Sequence, residues 1–246
     1  MEHRVKSFLV ILTLATLAQY YAQETSKPNE NPSSPAKITV QVFYEGHSVD
    51  SKKFIKEQLI PTNKALNEYM DIKLMPFALG HIQNQNTTEY TLTCGSDKSN
   101  NCIEDKVHAC AISLLDQNKT LDFINCTMLL EEADVNEKIK KCGNDIKLDS
   151  DVISGISNCV NKDFYALLKK DETAHIEANI KTVPTVFIAN NNTEDTAELA
   201  KSDLKKAVCE SIPEPKPSQC STSGADAIIA GMLPLLIGAY FFIKSF

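Results

Sequence analysis

The chain has no tryptophan, only eight glycines in 246 residues and, although it carries eight cysteines, no two of them in Cys-x-x-Cys spacing. The missing spacing removes the usual dithiol-exchange motif, in which one thiolate attacks and its neighbour resolves, from the entire chain. It also removes the paired-ligand pattern of a structural zinc site, which His108 close to Cys110 does not restore. No metal and no cofactor are therefore expected. Basic clusters are lacking as well. The net charge is -7 at pH 7, and Lys52-Lys53, Lys140-Lys141 and Lys169-Lys170 stand among acids, as solvated helix faces would. Nucleic acid, whose phosphates need a basic face, is excluded as a partner.

What is present begins with two apolar segments. His3, Arg4 and Lys6 precede an apolar run of 11 residues, Phe8 to Ala18, with the small residues Thr16, Ala18 and Ala22 at its end. Charge, short apolar run and small residues in that order make a secretory signal peptide, and the run falls short of the roughly 20 residues that span a bilayer. Residues 1–22 are read as that signal and 23–36, rich in Pro, Ser and Asn, as a flexible leader that buries too little surface to order itself. Residues 213–226 read as a Pro/Ser-rich stalk, and Ala227 to Ile243 is a 17-residue stretch without formal charge. Segment 227–246 fits two readings. One is a glycosylphosphatidylinositol (GPI) signal with Ser221, Ser223 or Gly224 as the anchor site, although the polar spacer is shorter than the roughly 8 to 12 residues such signals carry. The other is a single transmembrane helix, in which Pro234 is tolerable. Both predict a membrane-attached protein of the secretory pathway, at the cell surface, in lysosomes or outside the cell. The remainder, 37–212, suits one domain with its own core.

An even number of cysteines behind a signal peptide implies disulfides, drawn from Cys94, Cys102, Cys110, Cys126, Cys142, Cys159, Cys209 and Cys220. Proximity favours Cys110 with Cys126, Cys142 with Cys159 and Cys209 with Cys220, and leaves the connectivity open. Glycosylation sequons stand at Asn86, Asn118, Asn125 and Asn191, which places these segments at the surface. Asn125 is the exception to watch, because a bridged Cys126 can hold it against the core.

Ile38 to Tyr44 alternates apolar and polar residues in the manner of a strand. Asp50 or Ser51 can cap the helix that follows, whose apolar stripe (Phe54, Ile55, Leu59, Leu66, Tyr69, Met70) bends near Pro61. Ile72 to Leu79 reads as the next strand, and a strand-helix-strand unit favours parallel pairing in an α/β sheet. Helical patterns then fill Cys102 to Asp116, Leu121 to Leu130, Val135 to Cys142 and Ser150 to Lys170. Thr182 to Ile188 restores a strand entered through Pro184, and Glu194 to Ser211 closes the domain as a helix.

Taken together, these residues resemble the gamma-interferon-inducible lysosomal thiol reductase family over nearly the whole domain, from about Lys37 to Cys209. The run Tyr44-Glu45-Gly46-His47-Ser48-Val49-Asp50-Ser51-Lys52-Lys53-Phe54 follows the frame of that family's Tyr-Glu, CxxC or CxxS, Asp-Ser-basic-Phe segment. Cys94, Cys102 and Cys110 match the three cysteines of its second hallmark, with Asp105 in place of an asparagine and Gly95-Ser96-Asp97 in place of Gln-His-Gly. Cys126 with Met128, then Cys142, Cys159 and Val183-Pro184-Thr185, also have equivalents there. The resemblance implies a thioredoxin-like α/β fold with a cysteine-rich helical insertion, about 94–171, and a cis Val183-Pro184 peptide beside the active-site loop.

Aligned on the Asp-Ser-Lys-Lys-Phe tail, the family's nucleophilic cysteine falls on Ser48 and its second position on Ser51. A hydroxyl cannot form the mixed disulfide through which exchange proceeds, because that step needs an attacking thiolate sulfur. His47 could act as a base toward Ser48, but no acid partner is evident to orient it. The expectation is a chain that is redox-inactive at this motif and serves as a membrane-tethered binding or accessory glycoprotein with a protein or peptide ligand. The alternative is a thiol oxidoreductase that reduces protein disulfides in endolysosomes through another cysteine, unpaired in the insertion. A purely structural surface protein is the third reading.

Overall fold

A computed structural model of the chain describes residues 36–84, 90–95, 102–131, 134–189 and 193–221. The expected signal peptide, nearly all of the leader, segment 227–246, the sequon asparagines Asn86 and Asn191, and Ser223 and Gly224 lie outside the described residues. Among the described residues no helix is long and apolar enough to cross a membrane.

The domain is built on β1, Ile38–Phe43, whose Val40 and Val42 are fully buried. The chain leaves β1 through a helical segment made of α1 (Val49–Phe54), a π-helical turn (Ile55–Leu59) and α2 (Ile60–Leu66). The bend expected near Pro61 takes the form of that π turn, closed by the Ile60 N–H on the Ile55 carbonyl. Pro61 has no N–H to give and crowds the preceding turn, and a widened turn just before it absorbs the interruption.

β2, Met70–Met75, then pairs with β1 in parallel, from Ile38 opposite Met70 to Phe43 opposite Met75. It lies earlier than the expected Ile72 to Leu79 because Pro76, lacking an N–H, ends the ladder. Phe77 and Ala78 nevertheless remain against the end of β1, through a Glu45–Phe77 bridge and the Ala78 N–H on the Tyr44 carbonyl. A hairpin of β3 (His81–Asn84) and β4 (Tyr90–Thr93) follows, an element the sequence pattern did not announce.

The insertion comprises α3 (Ile103–Leu114), α4 (Gln117–Leu129), α5 (Val135–Asp145), α6 (Ser150–Asn158), a second π turn (Cys159–Asp163) and α7 (Phe164–Glu177). It holds its own core, in which Val107, Phe123, Ile139, Ile156 and Leu168 are fully buried. The chain then returns to the sheet as β5, Thr185–Ile188, antiparallel to β1, giving the order β2-β1-β5. Two helices close the domain, α8 (Glu194–Ser202) and α9 (Leu204–Ser211), where one continuous helix was expected. They are parted at Asp203, whose carboxylate caps the second by accepting the Lys206 N–H. This is a thioredoxin-like fold with a cysteine-rich helical insertion.

Four disulfides tie the domain: Cys94–Cys102, Cys110–Cys159, Cys126–Cys142 and Cys209–Cys220. Two of the pairings expected from proximity, Cys110 with Cys126 and Cys142 with Cys159, are therefore corrected. Cys110 lies fully buried on α3 and meets the second π turn, whereas the half-buried Cys126 of α4 meets α5. The side of the helix a cysteine faces decides its partner, and sequence distance does not report it. The Cys209–Cys220 bridge also holds 213–221, the described part of the segment read as a stalk, against α9, with Cys220 packed on the main core.

Candidate functional site

The site is the loop Glu45–Ser48 between β1 and α1. Ser48, not Asp50 or Ser51, is the helix cap: its Oγ accepts the Ser51 N–H at 3.2 Å. Its position follows from the turn before it, in which the Ser48 N–H reaches the Glu45 carbonyl at 3.1 Å. Ser51 is one turn inside the helix, fully buried, and its Oγ accepts the Glu45 N–H at 3.4 Å. Both hydroxyls at the motif positions thus organise backbone. Val49, between them, is 78% exposed.

Two longer-range bonds fasten this loop to the insertion. The Gly46 N–H donates to Asp105 Oδ1 at 2.8 Å, and Glu45 Oε1 accepts the Gly95 N–H at 2.7 Å. Cys94–Cys102 joins the chain beside Gly95 to the start of α3, so the loop is held on both sides of that bridge. Gly46 fits because it has no side chain, since a Cβ there would meet Glu104 Cβ at 2.5 Å. Cys94, Cys102 and Asp105 bring two sulfurs and a carboxylate within 4.8 Å of one another, but the sulfurs are bonded together and are not thiolate ligands.

Beneath the loop lies a buried polar cluster that sequence reasoning missed. Tyr44 stacks on His108 with ring centroids 5.8 Å apart. His108 is fully buried, its Nε2 3.0 Å from Thr127 Oγ1. The Thr127 hydroxyl already donates to the Ile124 carbonyl, so the network assigns the proton to His108 Nε2 and leaves Nδ1 as an acceptor without a partner. Burial first, then the positive charge of Lys138, His47 and Lys52, pushes His108 down to about 3 and keeps it neutral. Glu104 pairs with Lys138. Asp105 and Tyr44 are both raised well above their ordinary values, chiefly by burial. Asp171 of α7 is pushed up to about 7, also by burial. The only sequence signal for this group was the Glu104–His108 spacing of four on one helix face, which does not distinguish a site from core.

Pro184 is buried and follows a cis peptide bond, as the resemblance implied. It shares a surface groove of about 480 Å³ with Asp50, Lys53 and Phe54 of α1 and with Glu198, Lys201 and Ser202 of α8. The structure therefore brings Pro184 beside the helix that Ser48 caps. The unpaired cysteine on which the reductase alternative relied is not found, because all eight cysteines are among the described residues and all are paired. Asn118 is exposed on α4 and its Oδ1 accepts from Asn63 Nδ2 at 2.9 Å. Asn125 is half-buried beside the bridged Cys126, and Ser221 is exposed.

Residues 39–146 match the family model described as gamma interferon inducible lysosomal thiol reductase. The chain is 31% identical over 201 residues to a gamma-interferon-inducible lysosomal thiol reductase-like protein of Anopheles gambiae, covering 75% of this chain and 80% of that one. It is 29% identical over 234 residues to GILT-like protein 1 of Drosophila melanogaster, covering 87% and 92%. The goldfish (Carassius auratus) gamma-interferon-inducible lysosomal thiol reductase is 25% identical over 189 residues, covering 74% and 72%. Among solved structures, the thiol-disulfide oxidoreductase MdbA of Actinomyces oris superposes with a TM-score of 0.49 at 13% identity, covering 74% of this chain and 83% of that one. DsbA of Chlamydia trachomatis gives 0.45 at 16% identity, covering 69% and 87%. With 31% identity over 80% of the Anopheles protein, the chain belongs to the gamma-interferon-inducible lysosomal thiol reductase family.

Proposed function

We propose that this protein is a family member without thiol exchange at the family's motif, acting as a membrane-tethered binding or accessory glycoprotein of the secretory and endolysosomal system. The observation that carries the reading is that Ser48 and Ser51 stand at the two motif positions, each with its hydroxyl engaged by backbone, while every cysteine is bridged. Exchange needs a thiolate to attack a disulfide sulfur, and no such group stands here. The ligand we assign is a protein or peptide, taken in the groove between α1 and Pro184, with the exposed Val49, the residue before Asp50 of that groove, as an apolar contact. Asn118, exposed at the start of α4, is the described asparagine best presented for glycosylation.

The test is insulin reduction by the purified protein, with free thiols counted at acidic and neutral pH. The reading expects no turnover above the reductant blank and no free thiol. Turnover would overturn it in favour of a thiol reductase, the term carried in the names of the Anopheles and goldfish relatives. Mass spectrometry of the mature C-terminus decides between a lipid anchor and a helix.

A further inference from the structure

A second surface, on the opposite edge of the sheet from β5, has the features of a polypeptide-binding cleft. The Met75 carbonyl accepts the Tyr44 N–H at 3.0 Å. Residues 71, 73 and 75 therefore turn their backbone toward β1, and residues 70, 72 and 74 turn theirs outward. Gln117 covers the first part of this outer edge. Its Oε1 accepts the Ile72 N–H at 2.9 Å, and its Nε2 lies 3.5 Å from the Met70 carbonyl and 2.9 Å from Asn63 Oδ1. A side-chain amide thus takes the place of a neighbouring strand's peptide group. Past Gln117, the Ile72 carbonyl and the N–H and carbonyl of Leu74 have no such cover among the described residues. They border a cleft of about 460 Å³ between β2, the α3–α4 junction and α7, with Leu74, Met75, Ile112 and Leu115 as its apolar lining.

We infer that this cleft binds an extended, uncharged segment of a partner polypeptide, which adds as a strand to β2 beside Leu74 and directs a side-chain hydroxyl or amide at Asp171. Three observations select this occupant. An unpaired strand edge offers alternating donors and acceptors, which an extended backbone matches and a compact ligand does not. Asp171 lines the cleft at 7% exposure, takes the Phe77 N–H, and leaves Oδ2 without a partner, so the carboxyl has room for one more hydrogen bond. Asp71 and Lys73 pair with each other at 2.9 Å, which leaves Lys170 and the buried Asp171 and no cluster of one sign in the lining. Nothing there favours a charged segment over an uncharged one. The chain's own leader, 23–36, is a poor fit because it has no apolar side chain larger than proline to fill the lining.

The proposal concerns a different surface from the Pro184 groove and stands or falls apart from it. The probe is an acetylated and amidated six-residue peptide of alternating valine and threonine, titrated into the full-length protein in detergent while amide hydrogen exchange is followed. Expected is slowed exchange at Leu74 on binding. An analogue with methylated backbone nitrogens should bind about tenfold or more weakly, equivalent to about 1.4 kcal/mol. Replacing the threonines by valine, which keeps the shape and removes the hydroxyls, should weaken binding by about threefold to tenfold. Equal binding of the methylated analogue, protection at Thr185–Ile188 instead of Leu74, or no binding at all would overturn the proposal. So would a Leu74 amide already protected before peptide is added, since a segment of this chain would then be the occupant.

Discussion

The Gly46 N–H and the Asp105 carboxylate are 2.8 Å apart, and this one bond fastens the loop ahead of Ser48 to the first turn of α3. Asp105 is 1% exposed, so nothing in solvent can take its place. Asp105→Ala should lower unfolding free energy by about 1–3 kcal/mol, the cost of a buried donor left unmet. Asp105→Asn, which keeps an acceptor oxygen and removes a carboxyl that burial holds well above its ordinary range, should cost clearly less. Urea denaturation of the two variants at pH 7 measures the difference.

Asp171 and His108 give stability opposite dependences on pH. Asp171 titrates near 3.8 when unfolded and at about 7 when folded, so the folded state holds the extra proton between those values. Its contribution is complete below about 4 and is lost as pH rises through about 7. His108 runs the other way, with 6.5 unfolded and about 3 folded, so acidification below 6.5 protonates the unfolded chain and costs stability. The wild type should gain on Asp171→Asn as pH falls from 7 to 4. It should lose ground to His108→Gln over 6.5 to 4. Thermal or urea unfolding across that range, compared within each pair, gives both slopes.

How much of this was legible in the sequence depends on the range of the interaction. The alternation of Ile38–Phe43 is a local pattern, and the strand stands where it was read. The frame from Tyr44 to Phe54 aligned Ser48 with the family's nucleophile, but the cap was expected at Asp50 or Ser51, and Ser48 takes that place through a turn bond to Glu45. Nothing local marks Asp105 or Asp171 as buried beneath a loop. Asp105 is 59 residues from the amide it holds, and such a contact exists only once α3 has come up against the loop that follows β1. The hairpin of β3 and β4 escaped notice because its strands are four residues each, too short for alternation to stand out.

The four bridges differ in the length of chain they close. Cys110–Cys159 spans 49 residues and Cys94–Cys102 spans 8. In the chain-entropy model these lengths correspond to about 4 and about 2.5 kcal/mol respectively. Replacing Cys110 and Cys159 together by alanine should thus lower the denaturation midpoint more than replacing Cys94 and Cys102. The short bridge has a different consequence, since it flanks both bonds that hold the Glu45–Ser48 loop. Its loss should speed amide exchange at Gly46 and Gly95, whereas loss of the long bridge should speed exchange chiefly across α3 and the second π turn.

Restoring sulfur at the motif tests whether the scaffold around it is intact. Ser48→Cys places a thiol where the Ser51 N–H and the start of α1 favour negative charge, so its pKa should fall below the ordinary value of about 8.5. Alkylation by iodoacetamide as a function of pH reads that value. The substitution weakens the cap and should cost about 1 kcal/mol of stability. Ser51→Cys alone should react slowly, because Ser51 is fully buried. The double variant has an attacking thiol and a resolving one a single helical turn apart, beside the helix that shares its groove with Pro184. It should reduce insulin where the wild type does not. A double variant that folds, is alkylated at the thiol introduced by Ser48→Cys and still shows no turnover would mean that the chain has lost more of the reaction than two sulfur atoms.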